Sequence, residues 1–185
     1  MKPVCLVIGA GAGIGGHVGK HFATEGYNAV LCRRSDEDGL RQLIGEIEDA
    51  GGSASGFLLD ASDPDTLEDR IAEVEAEIGP IEVVVFNLGA QIGSRELADT
   101  SYKAFELGWR LATFALFRVA SSVFPHMEKR GKGTLLVTSA TAAVRGNAGQ
   151  HSHAAAMGGR RMLCQTLNAE FWPKGIHVAH ILIDG

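Results

Sequence analysis

The feature that most constrains the fold is a glycine-rich turn near the N-terminus, directly after a short apolar run. Residues 4–8 are all apolar, and four of the seven residues in 9–15 are glycines. The apolar run predicts a buried strand, and apolar residues at helical spacing after the turn predict a helix. The start of such a helix offers free backbone N–H groups to a pyrophosphate, so we predict a dinucleotide-binding turn, with a ligand-free glycine turn as the alternative. The residues predicted to bind it here are Gly9, Gly11, Gly13, Ile14 and Gly15.

The rest of the chain repeats the alternation of apolar runs and amphipathic segments. Further short apolar runs predict strands at 28–32, 54–59, 83–86, 134–138 and 177–183, which makes six strands with 4–8. Strands that are apolar on both faces belong to a parallel sheet that helices cover on each side. With right-handed crossovers, these elements predict one α/β domain over residues 1–185. Its sheet is expected to be a doubly wound Rossmann sheet in the order 3-2-1-4-5-6.

Composition and charge argue against several classes of protein. The formal net charge of −5 and the lack of a basic block argue against a nucleic-acid surface. No apolar run approaches the ~20 residues that a membrane-spanning helix needs, so we expect no membrane partner. The three cysteines, Cys5, Cys32 and Cys164, lack metal-binding spacing. They predict reduced thiols in a cytoplasmic protein, and no metal site.

Two segments, 105–124 and 154–171, differ from the other amphipathic stretches because they are apolar or small on nearly every side. A helix of this kind is usually buried. Two explanations stay open at this point. Either the segments pack only within the core of this chain, or they also contact further copies of it in a homo-dimer or tetramer.

The end of the second predicted strand indicates which dinucleotide fits. A site for NAD usually places an acidic residue there, which binds the 2′-hydroxyl of the ribose. This chain has Arg33 and Arg34 instead. Guanidinium groups match a 2′-phosphate in charge and in geometry. The sequence therefore predicts NADP as the cofactor in preference to NAD, unless one or both arginines are only solvated surface charges.

Taken together, these residues resemble a known family, the short-chain dehydrogenases/reductases. The spacing Gly9-x-x-x-Gly13-Ile14-Gly15 resembles the family's TGxxxGIG fingerprint, with Ile8 in place of the threonine. Asp60 resembles its adenine-contacting aspartate, and Asn87 and Gly89 resemble its NNAG strand end. Further matching segments are 133–139, Glu170, 175–178 and Asp184-Gly185. The resemblance implies hydride transfer between a nicotinamide and a small-molecule carbonyl or alcohol, with Asp60, Asn87 and Gly89 among the cofactor-binding residues.

The positions that carry the chemistry in that family are altered in this chain. The family uses a Tyr as proton donor, a Lys four residues later, a Ser beside the substrate oxygen and an Asn on the long helix. Alignment of the neighbouring motifs places Ala112 and Ala140 at the Asn and Ser positions, and His153 and Met157 at the Tyr and Lys positions. The only tyrosines are Tyr27 and Tyr102. No alignment of this segment therefore recovers a Tyr-x-x-x-Lys motif.

Other residues of the same segment offer suitable chemistry. His153 can donate a proton to a carbonyl oxygen at neutral pH, because imidazole has an ordinary pKa of about 6.5. Ser139 can supply a hydroxyl to the same oxygen, and a one-residue shift of the alignment would place it at the Ser position, with Ser152 at the Tyr position. Arg160 and Arg161 follow His153 by about two helical turns, which could bring one of them to a phosphate or ribose.

Two functions stay open on the sequence alone. One is an NADP-dependent oxidoreductase with a non-standard active site. The presence of all the predicted cofactor-binding residues favours it. The other is a catalytically inactive dinucleotide-binding or scaffold protein of the same fold, which the changes at all four catalytic positions favour. Family members usually continue past the sixth strand into a substrate-covering loop, a helix and a seventh strand. We therefore expect the C-terminal part of the usual fold to be missing here.

Overall fold

A single parallel β-sheet organises the chain. The structure, a computed structural model, describes residues 1–63, 66–89 and 93–183, so Asp184-Gly185 lies outside the described residues. Within these ranges, six strands lie in the order β3-β2-β1-β4-β5-β6, and each neighbouring pair is parallel. This confirms the predicted doubly wound α/β fold and its strand order. The strands are β1 (Val4–Ile8), β2 (Asn28–Arg33), β3 (Ser53–Leu58), β4 (Ile81–Phe86), β5 (Gly133–Ala140) and β6 (Ile176–Ile183).

Helices connect the strands and lie on both faces of the sheet. The described α-helices are α1 (Ile14–Thr24), α2 (Glu37–Asp49), α3 (Leu67–Glu73), α4 (Tyr102–Trp109), α5 (Ala115–Arg130) and α6 (His151–Phe171). π-Helical turns follow α3 at Val74–Ile78 and separate α4 from α5 at Arg110–Phe114. Short 3-10 turns lie at Leu97–Asp99, Thr141–Ala143 and Trp172–Lys174. In the described part of the chain, no helix has both the length and the apolar character needed to cross a bilayer.

The buried side chains of the sheet divide between its two faces, because successive residues of a strand point in opposite directions. On one face, Leu6 and Val84 belong to a cluster with residues of α3, α5 and α6. On the other face, Val7 and Leu31 belong to a cluster with residues of α1 and α2. Helices therefore cover both faces, which explains why the central strands are apolar without a polar alternation.

The segment 105–124 is not one continuous helix that is buried on every side. Its π-helical turn interrupts the α-helical geometry, and only one side packs on the sheet, with Leu116 and Val119 fully buried. The other side is open, with Trp109 43% and Phe117 50% exposed. Packing within this chain therefore explains one side only, because a sheet covers a single face of a helix that lies flat on it.

Candidate active site

Two adjoining clefts open along the edge of the sheet where the strands end. The outer cleft, of about 370 Å³, is lined by Gly9, Gly11, Arg33, Arg34, Ser35, Asp36, Leu59, Asp60, Ala61, Leu111 and residues 87–89. The inner cleft, of about 400 Å³, is lined by Ile14, Thr138, Ser139, Ala140, His153, Met157, Arg160, Ile183 and residues 87–89. The shared residues make the two clefts one continuous groove. The groove lies where the strand order reverses between β1 and β4, which is the ligand-binding position of doubly wound sheets.

The glycine turn packs so closely on β4 that two of its positions exclude a side chain. Gly9 has a φ of +96°, and a Cβ there would lie 2.6 Å from the carbonyl oxygen of Asn87. A Cβ at Gly15 would overlap the carbonyl oxygen of Gly9 and would lie 2.9 Å from Nδ2 of Asn87. At Gly13, in contrast, no atom lies within 4 Å of an added Cβ. The turn is therefore tight on its protein side and open above the start of α1.

Asn87 joins the glycine turn to the centre of the sheet. Its backbone N–H donates to the carbonyl of Ile8 at 2.8 Å, and its Nδ2 donates to the carbonyl of Gly9 at 3.0 Å. Its Oδ1 accepts a hydrogen bond from the hydroxyl of Thr138 at 2.8 Å. The side chain thus connects the ends of β1, β4 and β5. Gly89, two residues later, is exposed and lines both clefts.

The outer cleft carries both positive and negative side chains. Arg33 ends β2 with 15% of its side chain exposed, and its Nη1 lies 3.2 Å from the carboxylate of Asp36. Arg34 is exposed. Asp60 accepts hydrogen bonds from the backbone N–H of Ser62 at 2.9 Å and from its hydroxyl at 2.6 Å. Burial raises the pKa of Asp60, but these hydrogen bonds and two nearby arginines outweigh burial, so that its pKa lies below the ordinary value.

The inner cleft contains the residues that the sequence predicts to be catalytic. Ser139 of β5 and His153 of the first turn of α6 line it together with Ala140 and Met157. Ser139 is 8% exposed, and its Oγ lies 3.6 Å from the sulfur of Met157. The Nδ1 atom of His153 is buried and has no hydrogen-bond partner among the described residues. No acidic side chain of the described residues lines this cleft.

Two residues that the alignments place at catalytic positions lie outside the cleft lining. Ala112 is fully buried in the π-helical turn, and its carbonyl accepts a hydrogen bond from Nε of Arg160 at 3.0 Å. Ser152 donates its hydroxyl to the carbonyls of Ala104 at 3.2 Å and Phe105 at 3.0 Å. Those bonds hold α6 against α4. The shifted alignment therefore does not bring Ser152 into the inner cleft.

Arg160 is the site residue whose environment the sequence did not foresee. Its guanidinium donates to the carbonyls of Ala112, Thr138 at 2.9 Å and Leu88 at 2.9 Å, and its Cζ lies 5.0 Å from the centre of the Phe86 ring. The side chain is 1% exposed, and burial lowers its pKa to about 10. The one sequence feature that indicates a buried arginine here is its position within a segment of small and apolar residues. The neighbouring Arg161 lines neither cleft.

The groove suits an extended anionic cofactor better than a metal ion. The open space above Gly13 and the start of α1 leaves room for a diphosphate, and helix N-termini attract such groups. Arg33 and Arg34 add positive charge in the outer cleft, which Gly9 and Gly11 also line. Among the residues that the structure describes, no group of three or more His, Cys, Asp or Glu side chains is arranged to hold a metal ion.

Comparison with known proteins gives one consistent result. Residues 3–183 match the family model described as short chain dehydrogenase. The chain is 31% identical to the Short-chain reductase protein NovJ of Streptomyces niveus, over 96% of this chain and 66% of that protein. It is 27% identical to a 7alpha-hydroxysteroid dehydrogenase of Escherichia coli K12, over 94% of this chain and 67% of that protein. The chain thus spans about two thirds of the length of these curated relatives.

Solved structures share the same architecture. A short-chain dehydrogenase from Rhodopseudomonas palustris superimposes with a TM-score of 0.94 and 36% identity, over 99% of this chain and 85% of that one. A gluconate 5-dehydrogenase from Burkholderia cenocepacia J2315, in complex with NADP and tartrate, superimposes with a TM-score of 0.90 and 25% identity. The second match covers 98% of this chain and 71% of that one.

Proposed function

The chain belongs to the short-chain dehydrogenase family, and from that premise we propose that it is an NADP-dependent oxidoreductase with a non-standard active site. The proposed reaction is hydride transfer that interconverts a small-molecule carbonyl and the corresponding alcohol. The observation that carries this proposal is the continuous groove. Residues 87–89 line both clefts. They thereby connect the outer cleft, with the glycine turn, Arg33 and Arg34, to the inner cleft, with His153 and Ser139.

The proposed cofactor site uses the outer cleft and the start of α1. The backbone of 9–15 binds the diphosphate, Arg33 and Arg34 bind the 2′-phosphate, Asp60 contacts the adenine, and Asn87 with Gly89 borders the nicotinamide half. When bound, NADP supplies or accepts the hydride. The gluconate 5-dehydrogenase of Burkholderia cenocepacia, at 25% identity, binds NADP in its solved structure, which supports this form of the cofactor.

His153 and Ser139 perform the proton chemistry in this proposal. As a carbonyl is reduced, an imidazole N–H of His153 donates the proton to its oxygen, and the hydroxyl of Ser139 donates a hydrogen bond to the same oxygen. Both residues line the inner cleft beside Met157 and Ile183. The side chains of Met157 and Ile183 offer no hydrogen-bond donor that would compete for the carbonyl oxygen.

Replacement of His153 by phenylalanine tests this role. We expect His153→Phe to lower kcat by about a hundredfold or more, because general acid catalysis typically contributes that much. The measurement is the rate of NADPH consumption over a panel of aldehydes and ketones. His151→Phe is the matched control, since it makes the same change in the same helical turn at a residue outside the inner cleft. Unchanged turnover by His153→Phe would rule out the proposed acid.

A second candidate function is a catalytically inactive dinucleotide-binding or scaffold protein. The observation that favours it is the chemistry of Ala112, Ala140 and Met157, whose side chains offer neither a proton nor a hydrogen-bond donor to a substrate. NADPH binding with no turnover over the whole carbonyl panel would support this second function. Turnover that depends on His153 would exclude it.

We also propose that the chain forms a homo-dimer or tetramer through 105–124 and 154–171. Large apolar side chains remain exposed on the first segment, and Trp109 and Phe114 stack with ring centroids 5.3 Å apart. A groove of about 350 Å³ between α5 and α6 adds Phe117 and Leu167 to this surface. An apolar surface of this kind typically marks a protein contact.

Phe117→Glu should shift the chain toward the monomer. The added charge would have to be buried, unpaired, at each apolar contact, which costs several kcal/mol. Sedimentation equilibrium measures the mass directly. Leu97→Glu introduces the same charge at an exposed residue outside both segments, and we expect it to leave the mass unchanged. A monomeric wild-type chain would contradict the proposed assembly.

The cytoplasm is the proposed location. The described cysteines Cys5, Cys32 and Cys164 are all free and buried. Burial raises the pKa of the Cys5 thiol to about 12 and does the same for Cys164, as suits inert thiols in a reducing compartment.

A further inference from the structure

Arg160 is a buried cation for which the described part of the chain supplies no counterion. Its side chain is 1% exposed and makes no ion pair with any described carboxylate. All three of its hydrogen bonds go to neutral backbone carbonyls. Arg118, in contrast, is buried to a similar degree and is paired with Glu68. Among the described residues, the charge of Arg160 is therefore solvated by backbone dipoles and has no counterion.

An unneutralised charge in this position calls for an explanation. Burial of an ion without a partner of opposite sign is costly, and buried charges in proteins are normally paired. A guanidinium has about five N–H donors, of which the three hydrogen bonds to carbonyls use three. The remaining N–H groups have no partner among the described residues. A carboxylate or phosphate that reaches Arg160 can accept charge-assisted hydrogen bonds from such N–H groups.

The surroundings of Arg160 place the missing negative charge in the inner cleft. Arg160 lines this cleft, whose described lining contains no Asp or Glu. On the adjoining strand β6, burial lowers the pKa of His180, and Arg160 and Arg161 lower it further. The outer cleft has its own cations, Arg33 and Arg34, for the phosphates of a dinucleotide. An anionic group on the substrate would supply a negative charge in this cleft.

We propose that Arg160 determines the substrate class, and that the substrate carries a carboxylate or phosphate close to its reacting carbonyl. The inference rests on the proposed oxidoreductase function. The anionic group binds the free N–H groups of Arg160, while the carbonyl faces His153 and Ser139. The diphosphate of the cofactor is the other source of such a charge, and the experiment separates the two.

The test uses three matched pairs of probes: pyruvate, acetoacetate and levulinate, each compared with its amide. The full chain loaded with NADPH is titrated by calorimetry, and turnover is measured in parallel. Because hydrogen bonds to a charged group are stronger than those to a neutral one, we expect at least one acid to bind about tenfold or more tightly than its amide. Arg160→Met should abolish this preference, and Arg160→Lys should retain part of it. The matched control, Arg161→Met, should keep the wild-type preference.

A second measurement keeps the proposal testable if Arg160→Met does not fold, since that variant leaves three carbonyls without their donor. In heteronuclear NMR spectra of the wild-type chain, the Nε–H signal of Arg160 should shift with the preferred acid and stay unchanged with its amide. Equal affinity for acid and amide in all pairs would overturn the inference. The inference would also be overturned if Arg160→Met lost affinity for NADPH while the wild-type chain showed no preference for acids. That result would identify the cofactor's diphosphate as the counterion of Arg160. Absence of NADPH binding by the wild type would remove the proposed function instead, and the NMR titration without NADPH would then decide the anion site.

Discussion

Substitution of Gly15 by alanine is expected to weaken NADPH binding strongly and to destabilise the chain. The added methyl group would overlap the carbonyl oxygen of Gly9 and would press on Nδ2 of Asn87. Those two groups form the hydrogen bond that fixes the turn against β4. Since the carbonyl of Gly9 belongs to the backbone, it cannot move aside without displacing the turn. Overpacking of this kind costs roughly 1–3 kcal/mol, which corresponds to a fall in Tm on the order of 5 °C.

The loss of binding should exceed the loss of stability. A displaced turn no longer aims its N–H groups at a diphosphate, and the loss of two charge-assisted hydrogen bonds weakens binding by about a hundredfold or more. Calorimetry measures the affinity, and thermal unfolding measures Tm. Gly45→Ala is the control, because this glycine lies in α2 with no atom within 4 Å of an added Cβ. A Gly15→Ala chain that binds NADPH as well as the wild type would contradict the assigned turn.

Replacement of Arg33 and Arg34 by serine should remove the preference for NADPH over NADH. Both arginines line the outer cleft, and Arg33 is held by its ion pair with Asp36. NADPH differs from NADH by the 2′-phosphate alone. Loss of the two guanidinium groups should therefore lower the affinity for NADPH and leave that for NADH almost unchanged. With roughly 1.5–3 kcal/mol for a contact between charged groups, Arg34→Ser should weaken NADPH binding about tenfold and the double variant about a hundredfold.

NADH binding by the same variants provides the internal comparison, and we expect it to change by less than about threefold, as for a surface substitution. Arg41→Ser is the matched control, because Arg41 is an exposed arginine of α2 that pairs with Glu37 and Asp38 outside the outer cleft. Added salt should also weaken NADPH binding more than NADH binding, since exposed charges are screened. An equal loss of affinity for both cofactors would show that the two arginines support the structure of the turn and do not bind the 2′-phosphate.

Much of this arrangement is predictable from local sequence, for physical reasons. Continuous apolar runs identify the strands of a parallel sheet, and the crossover rule reduces the possible strand orders to a few, of which 3-2-1-4-5-6 is the Rossmann order. Because the carboxyl ends of parallel strands share one edge, residues directly after strands meet there. That reasoning places Gly9, Arg34, Asp60, Asn87 and Ser139 along one groove, where the structure also has them.

The features that local patterns missed depend on contacts between distant segments. The π-helical turn Arg110–Phe114 brings the carbonyl of Ala112 to Arg160, which lies 48 residues away in the sequence. The carbonyls that bind Arg160 lie on three separate segments of the chain, and no periodicity reveals this arrangement. For 105–124 the sequence left two explanations open, because an apolar pattern cannot distinguish a residue covered by the sheet from one left exposed, such as Phe117.

The most direct test of the proposed NADP site is a calorimetric titration of the purified wild-type chain with NADPH and, separately, with NADH. We predict that NADPH binds with a Kd in the micromolar range, which is about −8 kcal/mol, and that NADH binds about tenfold or more weakly. That result would support the glycine turn with Arg33 and Arg34 as the cofactor site. No binding of either dinucleotide, or tighter binding of NADH, would contradict it.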